Sequence, residues 1–237
     1  MTAEPQSQGT VAAIEQLRAD FARREVVDSN QLEWLASPQA GVDRRMLDRI
    51  GGEVARATSI VRYVPASTFP AHTHGLGEEF LVLEGVFSDE HGDYPVGSYV
   101  RNPPRSSHTP RTGDGCTIFV KLRQMRADDA ERIVIHTAAQ AWQPADAAGY
   151  ERLVLFSRPD GTEDVAMERL APGTQVAPYP CDGGEEILVL DGVLSDDAGT
   201  YGAGTWVRNP AGSRHGLASE NGCLFWVKRG HLGASIS

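Results

Sequence analysis

The apolar positions of this chain fall in short runs rather than long stripes. Ser59 to Val64, Phe80 to Phe87 and Thr117 to Leu122 are rich in β-branched and aromatic residues, and Gly, Pro, Asp and Asn clusters separate them. Runs this short with turns this frequent predict strands closed into a sandwich or barrel. Asn102-Pro103-Pro104 and Asn209-Pro210 exclude helix and set fixed bends. One segment has helical spacing. Val11, Ile14, Leu17 and Phe21 recur at three- and four-residue steps, with Glu15, Arg18, Arg23 and Arg24 on the other faces and Thr10 placed to cap. It predicts a short N-terminal helix, packed on the following domain or reaching toward a partner chain.

The pattern is written twice. EEFLVLEGVFSDE from Glu78 matches EEILVLDGVLSDD from Glu185, and GSYVRNPPRSSH from Gly97 matches GTWVRNPAGSRH from Gly204, both at an offset of 107. Between Glu78 and Lys121 the two copies share 22 of 44 positions without a gap, so the molecule holds two copies of one domain. Trp34 and Gly41 pair with Trp142 and Gly149 at an offset of 108, which places a one-residue gap upstream. The expected organisation is an N-terminal helical segment (1–25), a first domain (26–128) and a second domain (129–237), joined at the polar stretch RADDAER.

Charge and cysteine content narrow the class. The net charge of −10 repels phosphate backbones, so nucleic acid is not an expected partner. The start MTAEPQSQGT has no basic segment followed by an apolar one, and no apolar run is long enough to span a bilayer, so neither a signal peptide nor a membrane is expected. Three cysteines (Cys116, Cys181, Cys223) do not make a disulfide framework, and the expected compartment is the cytoplasm. Cys116 and Cys223 occupy equivalent repeat positions and read as small core residues.

The first repeat carries a metal-type constellation. In P-A-His72-T-His74-G-L-G-Glu78 the two histidines are two apart, so on a strand both project to one face. Glu78 follows a glycine-rich turn, and His108 arrives after the proline bend. Three imidazoles and a carboxylate suit zinc, iron(II), manganese, nickel or copper rather than calcium. Glu79 is the competing carboxylate, but strand alternation turns it to the opposite face. His91 reads as a solvated loop residue, and His136 and His231 lie outside the constellation. In the second repeat His72 becomes Tyr179 and His74 becomes Cys181, while Glu185 and His215 remain. Cys181, Glu185 and His215 are all legitimate zinc ligands, yet loss of two imidazoles should weaken binding strongly, so a retired site kept for packing is expected.

These residues resemble the two motifs of the cupin superfamily. His72, His74, Glu78 and Gly85 fit the first motif, and Gly97, Pro103 and His108 fit the second, with Arg105 standing where the family has glycine. The resemblance implies an all-β chain of two tandem cupin-type barrels (double-stranded β-helix, or jelly roll), with His72, His74, Glu78 and His108 as the ligands of one divalent metal ion. Zinc is the first expectation, with iron(II), manganese or nickel as alternatives. The stretch from Leu76 to His108, and WLASPQAGVDRRMLDRIGGEVARATSIVRY upstream, are similar to the zinc-binding cupin domain of ChrR-like anti-sigma factors.

That branch implies a metal-dependent sensor or stress-response regulator. Its sigma-binding domain carries His and Cys ligands of its own; residues 1–25 contain neither, so sigma-factor binding is not expected. The alternative is an enzyme, an iron(II)-dependent cupin dioxygenase acting on a small aromatic ketone or diketone, with Phe80, Tyr99 and Tyr63 expected in the pocket wall. A small-molecule ligand and a homodimer are both compatible with either reading.

Overall fold

The computed structural model of the chain describes residues 14–52 and 54–233. Apart from two 3-10 turns, Ser29–Gln31 and Thr137–Ala139, the regular structure of these residues is all strand. The main sheet of the first barrel runs Gln16–Leu17, Val42–Ile50, Arg56–Tyr63, Cys116–Leu122, Glu78–Asp89, Ser98–Asn102, Ile133–His136, in that spatial order. A smaller layer closes the barrel: His72–Thr73 pairs with Ser107–His108, and Gly92–Pro95 pairs with the distal half of Glu78–Asp89. The second barrel repeats this plan, with Cys223–Arg229 and Glu185–Asp196 at its centre and Thr174–Cys181 paired to Ser213–Ser219.

The first strand of each repeat completes the other barrel. Glu25–Asp28 pairs with Thr205–Arg208 of the second barrel, and Ile133–His136 pairs with Ser98–Arg101 of the first. Repeats in sequence and barrels in space therefore differ by one exchanged strand each. The exchange covers sheet edges that would otherwise present unpaired backbone groups.

The N-terminal helix expected from spacing does not form over the described residues. Gln16–Leu17 is instead a short strand paired with Arg49–Ile50, Arg18 takes φ 47°, and the Phe21 ring lies under the guanidiniums of Arg56 and Arg208 at 4.2 and 4.4 Å. The open edge of Val42–Ile50 offers this segment backbone partners, and tertiary pairing overrides a helical period this short. Thr10 and Val11 lie outside the described residues.

Both faces of the central strands are buried, which is why Phe80 to Leu83 reads as a continuous apolar run rather than an alternation. Phe80 and Val82 face the interior of the first barrel, with Phe87, Val100, Ile118 and Val120. Leu81, Tyr99 and Phe119 face the other barrel, where they pack with Leu188, Trp206 and Trp226; the Phe119 and Trp226 rings meet edge to face at 4.9 Å.

Buried charges cross the same interface in reciprocal pairs. Lys121 of the first barrel donates to Glu186 of the second, and Lys228 of the second donates to Glu79 of the first. Tyr99 and Arg101 also donate to Glu79, at 2.8 and 3.0 Å, and Trp206 donates to Glu186 at 3.3 Å. Each of these residues has its counterpart at an offset of 107, and the lysine–glutamate pairs follow the two-fold relation of the repeats, whereas Arg208, the counterpart of Arg101, pairs with Asp48 at 3.4 Å instead of Glu186. Burial would raise the carboxyl pKa of Glu79 and Glu186, but the facing lysines hold both below the usual range.

Candidate metal centre

The small layer of the first barrel sets the ligand geometry. His72 and His108 lie directly opposite each other in the two-stranded pairing. The His74 amide donates to the Ser106 carbonyl at 2.9 Å, and the Arg105 amide donates back to the His74 carbonyl at 2.6 Å. Gly77, at φ 75°, completes the turn that starts the Glu78 strand; a Cβ there would collide with the Met125 sulfur. Arg105 holds φ 71°, a left-handed conformation that its counterpart Gly212 adopts freely at 79°.

Four side chains converge. One ligand atom each from His72, His74, Glu78 and His108 falls within 4.8 Å of all the others. The Nε2 atoms of His72 and His74 are 3.3 Å apart, and Glu78 Oε2 lies 3.4 Å from Nε2 of both His74 and His108. Those separations match the edges, about 3.3–3.4 Å, of a tetrahedron with bonds of about 2.0–2.1 Å.

The outer nitrogens fix the tautomers. Ser106 Oγ donates its proton to the Pro103 carbonyl at 2.6 Å, so it can only accept from His74 Nδ1, 2.9 Å away. His72 Nδ1 is 3.0 Å from the Pro70 carbonyl, and His108 Nδ1 is 3.2 Å from the buried carboxylate of Asp89. All three rings thus carry hydrogen on Nδ1 and turn the Nε2 lone pair inward. Burial lowers the His74 pKa, keeping that ring neutral despite Glu78. Burial also pulls His108 down, but the Asp89 hydrogen bond and the Glu78 charge outweigh it and the net shift is upward. Asp89 is held down at about 2: burial opposes this, while His108, the His91 amide and the Tyr94 hydroxyl stabilise its charge.

Two observations test the fit of a cation. His108 Nε2 is buried without a hydrogen-bond partner, although a carboxylate oxygen lies 3.4 Å away. Glu78, 7% exposed, has only imidazoles and the Asn102 amide around it, with no lysine or arginine paired to it among the described residues. A buried carboxylate and an orphaned imidazole nitrogen facing one point are what a divalent cation satisfies. The group fits such an ion.

His72, His74 and Glu78 open onto a cavity of about 500 Å³ inside the first barrel. Its walls are largely apolar (Val42, Ala57, Val61, Ile118, Val120, Leu122), with Tyr63, Phe69 and three arginines among them. Tyr63 lines the wall, and burial together with Glu78 keeps its hydroxyl protonated. Phe80 and Tyr99 do not line it. Phe80 is in the packed interior behind it, 4.6 Å from Phe87, whose ring backs His108 at 5.8 Å. Tyr99 pairs with Leu81 and points to the opposite face, into the interface between barrels. Strand parity separates it from Glu78 as it separates Glu79.

The second barrel brings Cys181, Glu185 and His215 within the same 4.8 Å, but a cation from the chain already occupies the constellation. Arg229 Nε donates to Glu185 Oε2 at 2.7 Å, and its terminal nitrogens donate to Glu168 at 2.6 and 3.0 Å. Tyr179 also donates to Glu185, at 2.9 Å. His215 Nε2 lies 2.8 Å from Glu185. Burial opposes its charge, yet hydrogen bonds to Cys181 and Glu185 raise its pKa to about 10, so Nε2 carries a proton instead of an open lone pair. Arg229 stands where the first barrel has Leu122. These residues do not fit a metal ion.

His231, His91, Cys116 and Cys223 belong to neither cluster. His231, buried against Glu186 at 3.2 Å, is pushed down to about 4 by desolvation, and His91 is exposed. Cys116 and Cys223 are buried free thiols raised by desolvation, Cys116 to about 11. Asp89, Ser106, Arg229 and Arg44 belong to no sequence motif. Asp89 and Ser106 were detectable as positions identical in both repeats (Asp196 and Ser213), and Arg229 as a charge replacing Leu122.

Comparison with known proteins agrees with this architecture. No curated protein matches the sequence. Among solved structures, a candidate dioxygenase from Nostoc punctiforme superposes with a TM-score of 0.74 at 16% identity, over 91% of this chain and 86% of that one. A candidate glyoxylate-induced protein from Pseudomonas aeruginosa gives 0.68 at 14% identity, over 97% and 93%. An oxalate decarboxylase from Bacillus subtilis gives 0.59 at 11% identity, over 86% and 76%. Identities this low speak for the shared fold alone. No helix among the described residues is long and apolar enough to cross a membrane. The model of the ChrR cupin-like domain matches twice, over residues 22–126 and 130–233, and the chain belongs to that family as a tandem pair of cupin barrels.

Proposed function

We propose that the chain is a metal-dependent cupin with one working centre, in which His72, His74, Glu78 and His108 hold a single divalent cation and present it to a small organic molecule in the first barrel. The observation that carries this reading is the joint one: inward-turned Nε2 lone pairs and a carboxylate without an internal counter-charge, at the wall of a mostly apolar cavity. A closed structural site would leave no room beside the ligands.

On this reading the chain's own groups divide the work. Ser106, Asp89 and the Pro70 carbonyl hold the imidazole tautomers, and the apolar wall excludes water. The protonated Tyr63 can donate a hydrogen bond toward the cavity and cannot serve as a base. A bound iron(II) would supply dioxygen chemistry, and zinc a Lewis acid or an activated water. We assign the centre to catalysis, with an oxidative reaction on a ketone or diketone as the first class to test; the dioxygenase-like fold and the cavity beside the ligands favour it. The second reading is a metal-dependent stress sensor, favoured by membership of the family named for ChrR.

Elemental analysis of protein purified without added metal should give one divalent cation per chain, lost in His108→Ala. Iron-loaded protein should then consume oxygen with aromatic ketones or diketones. Metal content unchanged by His108→Ala would overturn the ligand set. Absence of oxygen uptake across the panel would overturn the oxidative assignment while leaving the centre intact.

A further inference from the structure

The second barrel contains, as part of its own chain, a carboxylate that the first barrel lacks. Glu168 lies fully buried inside the second barrel. Arg152 donates to it at 2.6 Å, Arg229 donates to both of its oxygens, and Tyr150 donates to it as well. In the strand pairing Arg152 lies directly opposite Glu168.

The first barrel keeps the arginine and loses the acid. Arg44 lies directly opposite Val61, and these are the counterparts of Arg152 and Glu168. Tyr150 and Arg229 are replaced there by Val42 and Leu122. Arg44 and Val61 both line the cavity onto which the metal-type ligands open. Arg44 makes no hydrogen bond or ion pair with any described residue, and its Nε is buried without a partner. Its neighbours differ in having side-chain partners, although the Arg45 Nε is buried without a hydrogen bond as well. Arg45 lies over the Trp34 ring at 4.3 Å, and Arg62 pairs with Asp43 at 2.8 Å. Arg123, which lines the same cavity beside His74 and Gly75, also has no acidic partner among the described residues. Among the described residues of the cavity wall the one carboxylate is Glu78, which belongs to the ligand cluster.

A guanidinium half-buried in an apolar cavity without a counter-ion is costly unless an anion joins it. We infer that the first barrel binds a small organic carboxylate, whose carboxylate group pairs with Arg44 in the place that Glu168 fills in the second barrel, and whose apolar body lies against the wall formed by Val42, Val61, Val120 and Leu122. The inference rests on the first barrel being the ligand-binding one and narrows its substrate to an acid, an oxo-acid where the reacting group is a ketone. Arg44 is here a specificity-determining residue. It holds the ligand's charge and does not touch the cation.

Calorimetric titration of zinc-loaded protein with acetate, benzoate and 3-phenylpropionate, each beside its neutral amide, tests this. The carboxylate form of at least one pair should bind about tenfold tighter or better than its amide, the size of a charge-assisted hydrogen bond set in a low-dielectric cavity. Arg44→Met should abolish that preference. Val61→Glu, which rebuilds the pair of the second barrel, should block the carboxylate while metal content by elemental analysis stays at the wild-type level. If Arg44→Met fails to fold, Val61→Glu alone decides. Equal affinity for acid and amide, no binding of any of the acids at ~10 mM, or a preference that survives these substitutions would overturn the inference. The same titration on His108→Ala separates the two proposals: a carboxylate preference that depends on Arg44 but coexists with an incorrect metal assignment would persist there.

Discussion

Asp89→Asn is the sharpest probe of the centre because it alters no ligand. The Asp89 side chain is inaccessible to solvent, accepts from His108 Nδ1 at 3.2 Å, and is anchored by the His91 amide at 2.7 Å and the Tyr94 hydroxyl at 2.9 Å. Asparagine fits the same space and can still accept a hydrogen bond, so the loss is the charge behind the imidazole. That charge raises ring basicity and hence the strength of the Nε2 bond to a cation. Outer partners of ligating histidines contribute about 10–100-fold to metal affinity, or about 1.4–2.7 kcal/mol. The upper half of that range is expected, since the pair is buried and charge-assisted. Ser106→Ala removes only a neutral acceptor from His74 and should cost about fivefold, about 1 kcal/mol. Zinc affinity is measured by competition with a chromogenic chelator across pH, with melting of the metal-free proteins as the folding control. The sign of the pH effect is also fixed. Ligation needs an unprotonated Nε2, and Asp89 helps to raise the His108 pKa, so affinity in the wild type falls with decreasing pH through a higher midpoint than in the variant. Asp89→Asn should therefore bind more weakly at alkaline pH, with the gap narrowing in acid. Equal alkaline affinity for the variant and the wild type would refute the reasoning.

Three further outcomes follow from the same geometry. Arg229→Leu copies the first-barrel residue into the second barrel and leaves Glu168 and Glu185 buried without their main counter-charge; it should destabilise by about 3 kcal/mol or more in urea unfolding while metal content stays at one per chain. Arg105→Gly relieves a left-handed conformation at an exposed position and should stabilise by about 0.5–1 kcal/mol; a lower melting temperature would show that the arginine side chain contributes something its surroundings do not reveal. His215, raised from 6.5 to about 10, contributes stability that is whole below about pH 6.5 and is lost as pH rises through about 10, whereas Glu185, lowered from 4.5 to about 2, contributes above about pH 4.5 and is lost as pH falls through about 2. Melting temperature should thus decline between pH 7 and 10, and His215→Asn should flatten that decline.

The sequence made the fold legible because both copies keep their turn residues and central strands, and ungapped identity over Glu78–Lys121 gives the pairing register twice. The four-residue cluster was legible for the same reason: spacing by two on a strand and a proline bend before His108 leave few ways to arrange those side chains. What the sequence concealed was side-chain parity in strands buried on both faces. Tyr99 and Phe80 carry no alternation signal, since their apolar neighbours are needed on both sides, and the pocket wall could not be read from them. The N-terminal segment failed for a different reason. Its periodicity was genuine, but a strand edge with unsatisfied backbone groups outcompeted a helix of few turns. The strand exchange between repeats was invisible because Glu25–Asp28 and Ile133–His136 are equivalent, and equivalence does not say which barrel each one joins.

The divergence of the two barrels follows one rule of charge. Glu78 and Glu185 occupy the same buried position, and a carboxylate there demands a cation. In the second barrel a leucine-to-arginine difference at position 229 supplies it, and the valine-to-glutamate difference at 168 gives that arginine a second anion, with Arg152 and Tyr150 filling what would be the cavity. The buried charges of this cluster thus pair with one another. In the first barrel Leu122 and Val61 remain, and among the described residues Glu78 has no guanidinium and Arg44 no carboxylate. An unmatched anion and an unmatched cation then line one cavity. On the proposed reading a metal ion and an acid bound together meet these two charges, and meeting either from within should remove the need for its external partner. A double variant carrying Val61→Glu and Leu122→Arg should therefore lose both zinc and carboxylate binding while melting higher than the metal-free wild type, by an amount set by the new buried pairs. Retention of stoichiometric zinc by that variant would show that the four ligands, and not the missing internal cation, define the site.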